Sequence, residues 1–225
     1  MALITAAQYG DVAMVRRLVA VGADVHAEGA GGRRPLHFAA LNGHVEVARA
    51  LVQLGADLHA QSADGRTPLH WAARAGHLPM LSTLVELGAD VLAVTTRGNT
   101  PLHAASSTEA VVCLLAAGAE LNRRNNAGDQ PLFQAIHRGH VPAATALVQA
   151  GACPYASDAL WWTRLIVDAV MGDEEAVTEL VAAVEELTRR LNESGHFART
   201  GVQLAELSTH LRREELRRAL TAAQA

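Results

Sequence analysis

Apolar positions along the chain fall in short bursts of helical spacing that return at a fixed interval. Leu69, Ala72 and Ala73 form one burst, and Leu78, Leu81, Leu84 and Val85 form the next. Residues at i, i+3 and i+4 share one helix face, so each burst predicts a short helix. The pattern is already present at the start. Ala6, Ala7 and Gly10 lie 33 residues before Ala39, Ala40 and Gly43, and Val15, Leu18 and Val19 supply the second helix of that unit. Polar breaks keep the same beat: Gly22, Gly55 and Gly88 each precede Ala-Asp at intervals of 33. The prediction is a series of helix pairs. A single pair cannot bury its apolar face, so each must stack on its neighbours.

One segment carries the repeat most clearly. Gly65 to His77 reads G-R-T-P-L-H-W-A-A-R-A-G-H. Gly32 to His44 reads G-R-R-P-L-H-F-A-A-L-N-G-H, Gly98 to Ser106 reads G-N-T-P-L-H-A-A-S, and Gly128 to His140 reads G-D-Q-P-L-F-Q-A-I-H-R-G-H. The prolines at 35, 68, 101 and 131 are separated by 33, 33 and 30 residues. Thr67 suits an N-cap, its hydroxyl accepting from an orphan N–H of the first turn. Pro68 suits the first helical position, where no N–H is needed. Gly76 suits the left-handed residue that ends the helix. Arg34 and Gln130 stand in the place of Thr67 and cannot cap in that way, which predicts a loss of roughly 1 kcal/mol in each of their units.

These motifs resemble the ankyrin repeat family. The resemblance implies an all-α solenoid of about seven helix–turn–helix units joined by hairpin loops, with degenerate terminal caps. Residues 1–157 read as regular repeats with an N-terminal cap, and 158–225 as degenerate repeats with a C-terminal helical cap. The fourth unit is three residues short, and Ala105-Ser106-Ser107-Thr108 runs straight towards its second helix, where Ser107 or Thr108 would be the cap. That deletion predicts a notch in the array. Beyond it, Leu165 and Gly172 stay in phase with Leu132 and Gly139, and Thr200 to Leu211 aligns loosely with the motif as a seventh unit.

Charge changes the picture little. The net charge is −4, and all 19 basic residues are arginine. A GC-rich genome explains the missing lysine; selection against ubiquitin attachment is the alternative. Residues 1–154 hold 11 Arg against 11 acidic residues, so there is no basic field of the kind that duplex binding requires. Cys113 and Cys153 are isolated and form neither a metal spacing nor a disulfide framework. Met1 to Thr5 lacks the features of a secretory leader, and no apolar run is long enough to span a membrane, which points to a cytoplasmic, monomeric protein.

Histidine is the tempting chemistry, with 11 in the chain. His37, His70 and His103 occupy the T-P-L-H position, and His44, His77 and His140 the Gly-His turn. The resemblance assigns them structural hydrogen bonds. Side chains repeated once per stacked helix lie roughly 10 Å apart, too far to share a zinc ion whose ligands sit about 2 Å away. No metal or other cofactor is expected. No G-x-S-x-G, phosphate-binding loop or H-E-x-x-H is present, so no catalytic residues are assigned.

The resemblance places binding on a concave groove lined by hairpin tips and first helices. Carried over by position, the tips offer Arg33, Asp64, Arg66, Arg97, Asn99, Asn126 and Asp129. The first helices offer Leu41, Asn42, Arg74, His137 and Arg138. Trp161 and Trp162 occupy the tip of the sixth unit, whereas Trp71 reads as core. The expected partner is a protein, through an acidic segment; the alternative is a nucleic acid or a phosphorylated ligand held by the arginines.

Overall fold

The computed structural model describes residues 1–152, and within them the chain forms five helix pairs and no strand. The first pair is α1 (Ala2–Tyr9) and α2 (Val12–Ala20), the second α3 (Pro35–Asn42) and α4 (Val45–Gln53). α5 (Pro68–Ala75) and α6 (Leu78–Glu86) follow, then α7 (Pro101–Ala104) and α8 (Thr108–Ala116), and α9 (Pro131–His137) and α10 (Val141–Gln149). First helices pack on first helices in chain order and second helices on second helices, so the fold has two helical layers. The expected sixth and seventh units and the C-terminal cap lie outside the described residues. Among the described residues no helix is long and apolar enough to cross a membrane.

Small side chains set the layer spacing. Ala39, Ala40, Ala72 and Ala73 are fully buried, which lets neighbouring first helices approach closely around Leu36, Leu69 and Leu102. Leu51, Leu81, Leu84, Leu114 and Leu147 fill the space between the layers. Trp71, expected in the core, is 8% exposed and joins the same apolar cluster.

The loops are stitched by backbone. Ala63 N–H donates to Gly31 C=O at 2.9 Å, Thr96 N–H to Asp64 C=O at 3.1 Å, and Asn126 N–H to Arg97 C=O at 3.0 Å. Each bond ties one hairpin tip to the next. Gly65 shows why the tip needs glycine: its φ is +77°, and a Cβ would lie 2.7 Å from Thr96 N. At the other end of the first helices, the His44 and His77 rings sit where a Cβ on Gly10 or Gly43 would fall.

The helix starts differ from the sequence expectation. The Thr67 hydroxyl meets Nδ1 of His70 at 2.9 Å, and the Thr67 N–H donates to that same nitrogen at 3.2 Å. Thr100 and His103 repeat the arrangement, at 2.8 and 3.1 Å. The imidazole of the third helical residue thus supplies the reciprocal half of a capping box, accepting the N–H of the N-cap residue. Arg34 has this contact as well, its N–H donating to His37 Nδ1 at 3.0 Å. At Gln130 no imidazole is available, because Phe133 stands in the place of the histidine.

The opposite ring nitrogen reaches into the next unit. His37 Nε2 bonds the carbonyls of Ala60 (3.0 Å) and Arg66 (3.1 Å), His70 Nε2 that of Asn99 (2.9 Å), and His103 Nε2 that of Asp129 (3.2 Å). Since Nδ1 accepts from a backbone N–H, the hydrogen must be on Nε2, which donates. The ring works only when neutral. A second hydrogen on Nδ1 would face the donor it now accepts from. Burial reinforces this and lowers the His70 and His103 pKa values from 6.5 to about 4, with His37 shifted in the same direction.

The fourth unit carries the predicted irregularity. α7 is a single turn, and Ser107 is the residue that caps α8, accepting from Ala110 N–H at 3.2 Å. The Arg138 guanidinium crosses from the fifth unit to donate to the His103 carbonyl at 3.2 Å, beside the shortened helix.

Two measurements test this account. Gly65→Ala should destabilise by about 1–3 kcal/mol more than Gly88→Ala, since both glycines have positive φ but a Cβ at Gly88 meets nothing within 4 Å; urea unfolding of the two variants reads the difference. The second concerns pH. Unfolded histidines titrate near 6.5, while His70 and His103 titrate near 4 in the fold, so the unfolded chain binds more protons between those values. Stability should be complete above pH 6.5 and fall by on the order of a few kcal/mol as pH drops to 4. His103→Gln, which keeps a donor but does not titrate, should show a smaller fall in its urea midpoint over that range.

Candidate functional site

The hairpin tips and first helices bring five arginines to one side of the array. Arg33 and Arg66 come from successive tips, each just before the start of a first helix. Arg74 comes from the last turn of α5. All three converge on Trp71: the guanidinium carbons lie 5.5, 5.1 and 5.7 Å from the centre of its ring. Arg33 also lies 4.8 Å from the Phe38 ring. Phe38 and Trp71 hold the same repeat position, between the capping histidine and the alanine pair. A guanidinium over an aromatic face is attracted by the ring quadrupole and is worth about 0.5–2 kcal/mol.

Arg97 and Arg138 extend the field. The Arg138 pKa is lowered first by partial burial of its guanidinium, then by the charges of Arg66, Arg74 and Arg97. His140 is lowered by burial and by Arg138 and Arg74. Within this group the ion pair is Arg66 with Asp64, at 2.6 Å. The Asp64 carboxyl is held below its ordinary value: a hydrogen bond from Ser62 and the charge of Arg66 outweigh its burial. The other ion pairs lie elsewhere, at Arg34, Arg49 and Arg123.

The remaining sequence-derived residues divide by what they touch. Asn99 gives its carbonyl to His70 and its side-chain oxygen to Asn125 at 2.7 Å. Asn126 donates to Thr96 C=O at 3.2 Å, and Asp129 accepts from Gln134 at 2.8 Å. These three join one tip to the next or a tip to its helix. Leu41 is half-buried against the core, and the Asn42 side chain donates back to Phe38 C=O at 2.8 Å. His137 is exposed and stacks on Phe133 at 6.2 Å between ring centres. Trp161 and Trp162 lie outside the described residues. Sequence reasoning missed Phe38 and Trp71 as part of this surface. The signal was available: an aromatic inserted between the capping histidine and the packed alanines is rotated out of the interlayer face.

Among the described residues no group of three or more His, Cys, Asp or Glu side chains is gathered as a metal site. Cys113 is a free thiol, partly buried against the core.

A search of curated proteins finds no match. The family model described as ankyrin repeats (3 copies) matches at residues 3–95, 54–125 and 92–158, which together cover more than half of the chain. The family consists in general of protein–protein interaction modules and is typically non-enzymatic. With the period, the paired helices and the family match in agreement, the chain belongs to the ankyrin repeat family.

Proposed function

We propose that the array is a non-enzymatic interaction module that binds a partner protein along the face formed by hairpin tips and first helices, by way of an acidic segment of that partner. The observation that carries this reading is the arginine field. Arg33, Arg66, Arg74, Arg97 and Arg138 share one side, with Asp64 as their ion-pair partner. Gathering like charges costs free energy through mutual repulsion. A partner's carboxylates remove that cost, and guanidinium–carboxylate pairs give both directionality and energy at interfaces. A reducing compartment suits the free thiol of Cys113, and we place the encounter in the cytoplasm.

Capture of the partner from source lysate at two salt concentrations tests the reading, with Arg66→Glu/Arg97→Glu as the comparison. The expected result is a protein retained by the wild type and reduced at least tenfold by the double variant. Retention unaffected by the charge reversals rejects the arginine face. Nucleic acid released steeply by salt instead would replace the protein partner as the ligand.

A further inference from the structure

The three arginines around Trp71 form a more specific feature than a basic face. Their guanidinium carbons lie 5.1–5.7 Å from one ring, so all three border the same indole. Arg33 is anchored by Nε donating to Ala30 C=O at 3.0 Å, and Arg66 by Asp64 at 2.6 Å. Arg74 is exposed and makes no ion pair among the described residues. Beneath them the Trp71 indole is 92% buried by the complement of its 8% exposure, and its Nε1–H is shut off from water with no acceptor. A buried donor left unpaired costs about 1–3 kcal/mol, so this N–H is a place where an acceptor is missing.

We propose that this Trp71–Arg33–Arg66–Arg74 cage is a receptor for one phosphate monoester carried on a side chain of the partner protein. The proposal rests on the partner-binding reading above and makes that binding dependent on phosphorylation. The charge count selects the ligand. Three guanidinium ions outweigh the Asp64 carboxylate, and Arg97 and Arg138 add to the field, which favours the roughly −1.5 to −2 of a phosphate monoester at neutral pH over a singly charged anion. Its three terminal oxygens match three guanidinium forks. A carboxylate brings one charge and two oxygens, and a phosphodiester one charge, so either leaves the cage under-filled. The anion draws the guanidinium groups from the ring face towards its oxygens. This opens the indole edge and gives Nε1–H an acceptor.

The test uses the full chain and inorganic phosphate as the probe, read by the indole N–H signal of Trp71 in a ¹H–¹⁵N spectrum at pH 7.5. Trp71→Phe identifies that signal among the three tryptophans. Phosphate should shift it saturably at millimolar concentration. Acetate and dimethyl phosphate at equal ionic strength should act at least tenfold more weakly, and Arg74→Gln, at an exposed position, should weaken the phosphate response at least tenfold. Arg49→Gln, paired to Glu86 on the second-helix layer, should leave it unchanged. No saturable shift, or equal shifts from all three anions, overturns the proposal. Phosphatase treatment of the lysate separates it from the broader reading. If the charge-reversed array loses the partner but dephosphorylation does not, the arginine face stands and the phosphate receptor falls.

Discussion

The array depends on a neutral imidazole that holds two backbones at once. In His37, His70 and His103, Nδ1 accepts the N–H that begins the ring's own helix, and Nε2 donates to a carbonyl of the following loop. One side chain thereby fixes both the local geometry of a unit and its register against the next. Stacked repeats derive their stability from such nearest-neighbour terms, because no unit has a core of its own. The ring is buried, its partners are backbone groups, and its tautomer is dictated by them. Neither position nor protonation state is free to vary without loosening a junction.

Most of this was legible in the sequence. The period of 33, the small-residue face at Ala72 and Ala73 and the glycine punctuation encode helix pairs directly, because each reflects local backbone geometry. That a cap stands at Ser107 or Thr108 could be read in the same way, and the structure selects Ser107. What the sequence hid was the division of labour between neighbours. Thr67 has the chemistry of an N-cap, but nothing in its own chemistry shows that the ring three residues on accepts its N–H, a contact that Arg34 shares. A propensity argument treats one residue at a time, whereas this cap is a property of two residues and the loop beyond.

The candidate site shows the same boundary. Arginine at the tips was visible as a pattern, but the pattern does not reveal which arginines meet. Arg33 and Arg66 stand 33 residues apart, and Arg74 comes from a helix end, so their convergence on Trp71 needs the stacked geometry. Trp71 itself is both core and surface. It packs with the first-helix layer and presents its ring to three cations. Asn99 and Asn126 have the composition of a binding tip and also carry bonds between loops, while the Asp129 side chain bonds the helix that follows it. Composition alone does not separate a polar residue that recognises a partner from one that recognises its own neighbour.

Phe133 ends the series of T-P-L-H rings, and at the start of the chain Ile4 holds the corresponding place, so these buried imidazoles join the second unit to the third, the third to the fourth and the fourth to the fifth. Heat and denaturant attack a stack of repeats at its ends, where a unit has one neighbour instead of two. Protons act elsewhere. They weaken the interior junctions held by those buried rings; the first unit is attached instead by apolar packing, by Arg16 on Gln53 and by the His44 ring on the Gln8 carbonyl. Two routes of disassembly are thus written into one molecule: fraying inward from the ends on warming, and parting through the middle on acidification.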